Sequence, residues 1–329
     1  MDDGQEIPTA KGATKVAREI LDFGSITITM DVYSHFIRGQ SMTVRQNLQT
    51  YQLYLENIKF EHTIFALPFA YLGSILAAKG LPSFGIFFWV TVAMVGARTA
   101  AMSFNRYIDR HIDARNPRTA RRPIPTGRLR PGTVLAIALL SLALLIVAAA
   151  QLNPLCLVLS PIAVLALVGY SYTKRFTVLC HVALGFTDGI APAGGWLAVR
   201  PHFEPAMLLL VFVVGVWIAG FDMLYACQDV DFDRREGLHS IPANYGVAAG
   251  LLVARIFHLA MLAALVGLGL LLGLGWAFYI GLVLTAGLLV YEHSLVHPAD
   301  LSRVNLAFFN INGYIAVTLF VFTLASQYI

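Results

Sequence analysis

Two short acidic motifs hold the side chains of this sequence that are best suited to chemistry. In the first, Asn105, Asp109 and Asp113 are spaced four residues apart, so a helix would present all three on one face. In the second, Asp229 and Asp233 have the same spacing. A single motif could equally be a solvated helix end, because arginines alternate with the aspartates in RYIDRHIDAR. Two motifs with one spacing favour a shared ligand.

The chemistry that these oxygen-bearing groups indicate is the binding of a hard divalent cation. Mg²⁺ prefers oxygen ligands, keeps several waters and commonly bridges one or two carboxylates to a substrate phosphate. Basic side chains near both motifs could neutralise the remaining phosphate charge. They are Arg118, Arg121, Arg122, Lys174 and Arg175. For any one of them, a role in membrane topology alone is the alternative.

The rest of the chain is predominantly apolar and must position these motifs within a membrane. Of its 329 residues 57% are hydrophobic and 13% are charged, with a mean hydropathy of +0.69, outside the range of soluble domains. Apolar runs of about 20 residues can each cross a bilayer as a helix. They cover residues 60–79, 84–104, 132–151, 154–173, 178–199, 205–226, 247–271, 275–296 and 304–327. We therefore predict an all-α bundle of nine transmembrane helices around a central cavity.

The distribution of basic residues predicts the orientation of this bundle. The loops after even-numbered spans contain most of the lysines and arginines, including eight arginines within residues 105–131, whereas the other loops offer only Lys79 and Arg200. Because basic loops stay in the cytoplasm, we expect a multi-pass protein of the cytoplasmic (inner) membrane with its N-terminus and Asp-rich loops inside. Both motifs follow even-numbered spans four helices apart. Offsetting the first by 124 residues, which places Asn105 on Asp229, predicts a parallel internal repeat.

Residues 1–56 do not fit this pattern, because they contain no apolar run long enough to span a membrane. Within them GSITITMDVYSHF, residues 24–36, resembles the end of tyrosine recombinases, with Tyr33 in the position of the nucleophile. The residues that would activate it are missing, and a nucleophile without them is inert. We expect a poorly ordered extension over 1–56, a functional domain over 57–329 and no nucleic-acid partner.

Taken together, the two motifs in a chain of nine spans resemble the UbiA family of membrane prenyltransferases. The resemblance extends over residues 57–329 and includes further matches. These are NPRTARRPIPTG at 116–127, Tyr170-xxx-Lys174-Arg175, and Ala191-Pro192 with Gly194-Gly195.

The resemblance implies an enzyme that alkylates an aromatic acceptor with a polyprenyl group from polyprenyl diphosphate. It implies Mg²⁺ as cofactor, with Asn105, Asp109, Asp113, Asp229 and Asp233 as metal ligands and the four aspartates as catalytic residues. Arg118, Arg122 and Lys174 would bind the diphosphate. The isoprenoid tail would run between the helices towards the lipid bilayer.

The start of the first predicted span bears on the identity of the acceptor. In IKFEHTIFALPFA, residues 58–70, Lys59 stands where family members acting on 4-hydroxybenzoate often have arginine, and we predict Lys59 and Tyr225 as acceptor-binding residues. The branch resembled is that of 4-hydroxybenzoate polyprenyltransferases of ubiquinone or menaquinone synthesis. The alternatives are a bicyclic precursor of the futalosine route to menaquinone, a haem or lipid glycerol phosphate acceptor and, in another class, a membrane transporter.

Overall fold

The computed structural model describes residues 52–58 and 60–329, and for residues 60–66 it describes the backbone alone. These residues belong to one compact unit, Thr50–Ile329. Most of the predicted extension over 1–56 and the predicted acceptor contact Lys59 lie outside the described residues, so both stay predictions.

The described chain is helical throughout, with connecting loops and turns between the helices. After a helical stretch over 52–58, the helices are α1 (Phe60–Ala78), α2 (Phe84–Ile108), α3 (Arg110–Arg115), α4 (Pro131–Leu152), α5 (Pro154–Thr173), α6 (Cys180–Val199), α7 (Pro205–Ala226), α8 (Val230–Arg235), α9 (Ile241–Tyr245), α10 (Val247–Leu272), α11 (Trp276–Ser294) and α12 (Asn312–Ala325). A 3-10 turn, Cys227–Asp229, joins α7 to α8, and a π-helix, Leu306–Ile311, leads into α12.

The lengths and composition of these helices confirm a multi-pass, all-α membrane fold. Eight helices of the described part are long and apolar enough to cross a membrane. The first predicted span coincides with α1, of which the stretch Leu67–Ala78 is a shorter apolar helix. The prediction of nine spans is therefore approximate in number and correct in kind.

Small residues allow the helices around the site to approach closely. A Cβ atom on Gly195 of α6 would lie 2.0 Å from the carbonyl oxygen of Ala70 in α1, and one on Gly73 of α1 would lie 2.0 Å from that of Pro192 in α6. The Ser74 hydroxyl donates a hydrogen bond of 2.9 Å to the Gly195 carbonyl across the same contact. Interfaces built from small residues are typical of membrane helix pairs, and this one fixes α1 against α6.

The helices that carry the acidic motifs are interrupted at matching points. α2 ends at Ile108 and α7 at Ala226, and Asp109 (φ −89°, ψ 3°) and Asp229 (φ −101°, ψ 4°) each precede a helix of six residues. The backbone therefore pairs Asp109 with Asp229, an offset of 229 − 109 = 120 residues. The predicted offset of 124 was wrong by about one helical turn, because residues repeated every four positions fit equally well when shifted by one repeat.

Candidate active site

One cavity joins the two acidic motifs to the apolar interior of the bundle. Its volume is about 720 Å³, within the range of roughly 300–1,000 Å³ typical of small-molecule sites. Its polar lining includes the following residues of the motifs and their flanking loops: Asn105, Asp109, Asp113, Arg118, Arg122, Lys174, Arg175, Tyr225 and Asp229. Its apolar lining includes Met94, Leu145, Leu152, Leu159 and Leu167. The cavity thus has a charged end and an apolar interior.

In the first motif, each carboxylate is paired with an arginine. Arg175 donates a hydrogen bond of 2.8 Å from Nη2 to Oδ1 of Asp109, and Asn105 donates one of 3.0 Å to the other oxygen. Arg122 donates from Nη1 to both oxygens of Asp113, each at 2.7 Å. Backbone hydrogen bonds from Asp109 to Asn105 and from Asp113 to Asp109 preserve helical spacing across the interruption, so the three polar side chains stay on one side.

The second motif is neutralised by residues from elsewhere in the chain. Arg118 of the first loop grips Asp229 with two parallel hydrogen bonds, Nε to Oδ1 at 2.9 Å and Nη2 to Oδ2 at 2.5 Å, and Asn116 adds a third of 3.0 Å. The Nζ of Lys174 lies 2.9 Å from Oδ1 of Asp233. The Asp233 side chain is completely buried and is absent from the cavity wall, and its Oδ2 has no hydrogen-bond partner among the described residues.

These pairs connect the two motifs to each other. Arg118 reaches from the loop of the first motif to the second, and the neighbours Lys174 and Arg175 at the end of α5 divide between Asp233 and Asp109. Four carboxylates and four cations thus cancel in formal charge. A low-dielectric cavity makes this pairing necessary, because an unpaired buried charge is expensive.

The surroundings shift the pKa values of several of these groups. Burial raises the pKa of the Asp109 carboxyl, and the positive charge of Arg175 partly offsets this effect. For Lys174, burial acts to lower the pKa, but the adjacent Asp233 carboxylate outweighs it and the net pKa is raised. Lys174 is therefore an ammonium ion at neutral pH.

The oxygen donors at this end of the cavity suit a hard cation, although the structure does not gather them around one point. Within the described residues, no three His, Cys, Asp or Glu side chains form a ready-made metal cluster. Mg²⁺ needs only one or two carboxylates, with waters and substrate phosphates completing its octahedron. The buried Asp233 carboxylate, whose Oδ2 has no hydrogen-bond partner among the described residues, is the type of donor that such a cation would satisfy. The metal-ligand roles of the motif residues stay predictions.

Two further residues singled out from the sequence have contrasting positions. Tyr225 lines the cavity, where its hydroxyl accepts a hydrogen bond of 2.9 Å from Arg118, whose guanidinium lies 4.9 Å from the ring centre. Arg121 is exposed and is absent from the cavity wall. The first loop therefore supplies Arg118 and Arg122 to the site, but not Arg121.

Sequence reasoning missed two polar pairs inside the cavity. Arg98 lies 3.7 Å from Asp188, and His181 Nδ1 lies 2.7 Å from Asp222 Oδ2. All four residues line the cavity. A signal was available, because charged residues within membrane spans are costly and usually functional. Nothing in the sequence, however, pairs Asp222 with His181 or Arg98 with Asp188.

Comparison with known proteins decides the family. The model of the UbiA prenyltransferase family matches residues 66–314. The chain belongs to this family. A 4-hydroxybenzoate octaprenyltransferase of Vibrio atlanticus is 32% identical over 74% of this chain and 85% of its own length. A protoheme IX farnesyltransferase of Methylococcus capsulatus is 30% identical over 62% of this chain and 68% of its own.

Solved structures of other UbiA homologues have the same fold. The apo structure of a homologue from Aeropyrum pernix K1 matches with a TM-score of 0.74 and 33% identity, covering 80% of this chain and 98% of that one. A homologue from Archaeoglobus fulgidus, solved with GPP and Mg²⁺, matches with a TM-score of 0.65 over 84% of this chain and all of its own, at 18% identity. This chain is therefore a membrane prenyltransferase of the UbiA family.

Proposed function

We propose that this UbiA-family protein transfers a polyprenyl group from polyprenyl diphosphate to the ring of an aromatic acid, 4-hydroxybenzoate, in the synthesis of a respiratory quinone. One observation carries the proposal: a single cavity has three carboxylate–cation pairs and the ammonium group of Lys174 at one end, and an apolar lining at the other. A polyprenyl diphosphate likewise has a charged diphosphate head and an apolar isoprenoid tail. The name of the Vibrio atlanticus relative supports this acceptor class.

The basic side chains at the charged end would bind the diphosphate by exchanging their carboxylate partners for phosphate oxygens. Asn105, Asp109, Asp113, Asp229 and Asp233 would hold Mg²⁺, which supplies Lewis-acid stabilisation of the leaving diphosphate when bound. Arg118, Arg122 and Lys174 now neutralise three of these carboxylates. With such a cation bound, the same side chains would be free to donate to phosphate oxygens, for which the two-pronged guanidinium of arginine is especially suited.

The protein then has two tasks in the reaction. It shields the reacting carbon from water and holds the two substrates next to each other. Breaking the bond between the allylic carbon and the diphosphate oxygen leaves negative charge near Lys174 and the arginines, where fixed cations stabilise it. The developing allylic cation lies where the polar lining gives way to the apolar bundle, which excludes water. The electron-rich ring attacks this carbon, and loss of a ring proton restores aromaticity.

Tyr225 and Lys59 are proposed to hold the acceptor. Tyr225 lines the cavity one helical turn before Asp229, and its ring packs on Phe308 with centroids 4.2 Å apart, so an acceptor ring could extend the stack. Lys59 would pair with the acceptor carboxylate as a point charge.

An acceptor panel tests the proposal. Purified protein would receive geranyl diphosphate, Mg²⁺ and, in separate reactions, 4-hydroxybenzoate, a bicyclic naphthoate, haem or a glycerol phosphate lipid, with products identified by mass spectrometry. We expect prenylated 4-hydroxybenzoate. Prenylation of the naphthoate alone would favour the alternative function, prenylation of a bicyclic precursor in the futalosine route. Prenylation of haem alone would favour the activity named for the Methylococcus capsulatus relative. Product from neither aromatic acid would contradict the proposal.

A further inference from the structure

A histidine–aspartate pair in the cavity wall is unused by the function proposed so far. His181, in the first turn of α6, approaches Asp222 of α7 with 2.7 Å between Nδ1 and Oδ2. The histidine is only 4% exposed, and within the described residues its Nε2 atom has no hydrogen-bond partner. Both residues line the cavity.

The carboxylate fixes how the imidazole can act. An ionised carboxylate only accepts hydrogen bonds, so the proton of a neutral imidazole resides on Nδ1 and the lone pair on Nε2. A buried polar atom without a partner is unfavourable, and Nε2 of His181 is such an atom beside a substrate-sized cavity. The pairing thus orients a basic nitrogen and leaves it available to a bound molecule.

The depth of the pair matches the place where carbon chemistry would occur. Asp222 precedes Asp229 by seven residues, which corresponds to about 10 Å along the helix at 1.5 Å per residue. The pair therefore lies below the charged end, towards the apolar part of the cavity. The other polar pair of the cavity wall lies deeper, because Asp188 follows His181 by seven residues on α6, and its carboxylate faces Arg98.

We propose that His181, oriented by Asp222, is the base that removes the ring proton after the prenyl group has been transferred. This inference rests on the proposed aromatic acceptor. In the step, the C–H bond at the alkylated ring carbon breaks, its electron pair returns to the ring, and the proton passes to Nε2 of His181. The resulting imidazolium is stabilised by the Asp222 carboxylate. Release of that proton to water or to the departing diphosphate restores the base.

The charge of the pair suits this step. With a neutral imidazole, the pair has the single negative charge of Asp222, which stabilises a nearby allylic cation and the cationic ring intermediate that follows. Asp222 is a positioning residue here, and His181 the group that contacts the reacting atoms.

A kinetic isotope experiment distinguishes a base from a merely structural histidine. The variants His181→Ala and Asp222→Asn would be compared with wild type, using geranyl diphosphate and 4-hydroxybenzoate that is either unlabelled or deuterated at the ring carbons beside the hydroxyl group. His202→Ala is the matched control, because His202 has a 63% exposed side chain and is absent from the cavity wall. Product formation would be followed in a single turnover, with and without added imidazole.

Loss of the base should slow product formation by about 10²- to 10⁴-fold. It should also make proton removal rate-limiting, so a primary isotope effect appears in His181→Ala that wild type lacks, and imidazole should restore part of the rate. Asp222→Asn should show the same isotope effect with a smaller loss of rate, and His202→Ala should behave as wild type.

Three results would overturn the inference alone: both variants at the wild-type rate, a slowed His181→Ala without an isotope effect, or a slowed His181→Ala that imidazole does not rescue. If His181→Ala does not elute as a folded species in detergent, the nearly isosteric Asp222→Asn decides by the presence or absence of the isotope effect. A wild-type protein that prenylates no aromatic acid would instead contradict the proposed function, and this inference with it.

Discussion

At the scale of single residues, the four motif carboxylates are neutralised before any ligand arrives. Asp109, Asp113, Asp229 and Asp233 are each paired with one cation of the chain at a closest distance of 2.5–2.9 Å. In the proposed function, binding of a metal–diphosphate complex would be an exchange of partners within a nearly neutral site. Such an exchange avoids the large cost of assembling uncompensated carboxylates in a cavity of low dielectric.

Neighbouring arginines of the first loop allow this exchange to be tested. Arg122 hydrogen-bonds both oxygens of Asp113, whereas Arg121 is exposed and does not line the cavity. We expect Arg122→Gln to raise the KM for polyprenyl diphosphate by about 10- to 100-fold, because hydrogen bonds to charged groups contribute about 1.5–3 kcal/mol. Steady-state diphosphate release at varied donor concentration measures the change.

Arg121→Gln is the control, since it removes the same charge from the same loop. Its KM should stay within about twofold of wild type, because an exposed charge contributes little. Equal effects of the two substitutions would show that the loop acts through its overall charge and not through Arg122.

The sequence predicted which charged residues the structure brings together, but it did not predict which of them form pairs. The spacing of the motifs identified the four aspartates, and proximity in sequence identified Arg118, Arg122 and Lys174 as their basic neighbours. The partners could not be assigned, because Arg118 and Asp229 are 111 residues apart and Arg175 and Asp109 are 66 apart. Such pairs depend on how the helices pack, and the same holds for His181 and Asp222.

At the scale of secondary-structure elements, the site depends on close contacts between membrane helices. The contact of α1 with α6 places a backbone carbonyl against a helix face that has no side chain. Within a bilayer, helices associate through such packing instead of through the hydrophobic effect.

Two adjacent glycines of α6 give a matched test of this packing. A Cβ on Gly195 would lie 2.0 Å from the Ala70 carbonyl oxygen, whereas one on Gly194 would meet no atom within 4 Å. We expect Gly195→Ala to lower the free energy of unfolding by about 1–3 kcal/mol, as overpacking does. Thermal unfolding in detergent, followed by size-exclusion fluorescence, measures it.

Gly194→Ala should leave the melting temperature unchanged or raise it slightly, because alanine is favoured over glycine in a helix by about 1 kcal/mol. If Gly195→Ala had the same melting temperature as wild type, or if both variants lost stability equally, the close contact of α1 and α6 would not be a determinant of stability.

The helices could be predicted from hydropathy, but their interruptions could not. Apolar runs located the spans to within a few residues, since length and composition dominate in a membrane. The helix interruptions at Asp109 and Asp229 could not be detected in the sequence, because the spacing of four residues between the motif side chains continues through them. The register of the internal repeat was therefore misplaced by one turn.

At the scale of the whole molecule, the distribution of charge predicts which side of the membrane holds the site. Single cysteines would be introduced as Arg121→Cys and His202→Cys into an active variant lacking Cys156, Cys180 and Cys227. Arg121 and His202 are exposed. Because basic loops remain in the cytoplasm, a membrane-impermeant thiol reagent applied to intact cells should label the cysteine at 202 and not the one at 121.

Inside-out vesicles supply the control and should reverse the labelling. Labelling of position 121 in intact cells would place the acidic motifs on the outer side, and would contradict the predicted orientation.

The measurement that tests the central claim most directly is prenylation by the purified protein with its metal and its carboxylates varied separately. Wild type, Asp109→Ala and Asp233→Ala would receive geranyl diphosphate and 4-hydroxybenzoate, with Mg²⁺ or with EDTA, and both diphosphate and prenylated product would be quantified. The proposed function has these carboxylates hold a metal that would stabilise the leaving group, so product should form only in wild type with Mg²⁺, and restoring Mg²⁺ after EDTA should recover it. Product formation in EDTA, or at the wild-type rate in either variant, would contradict the account.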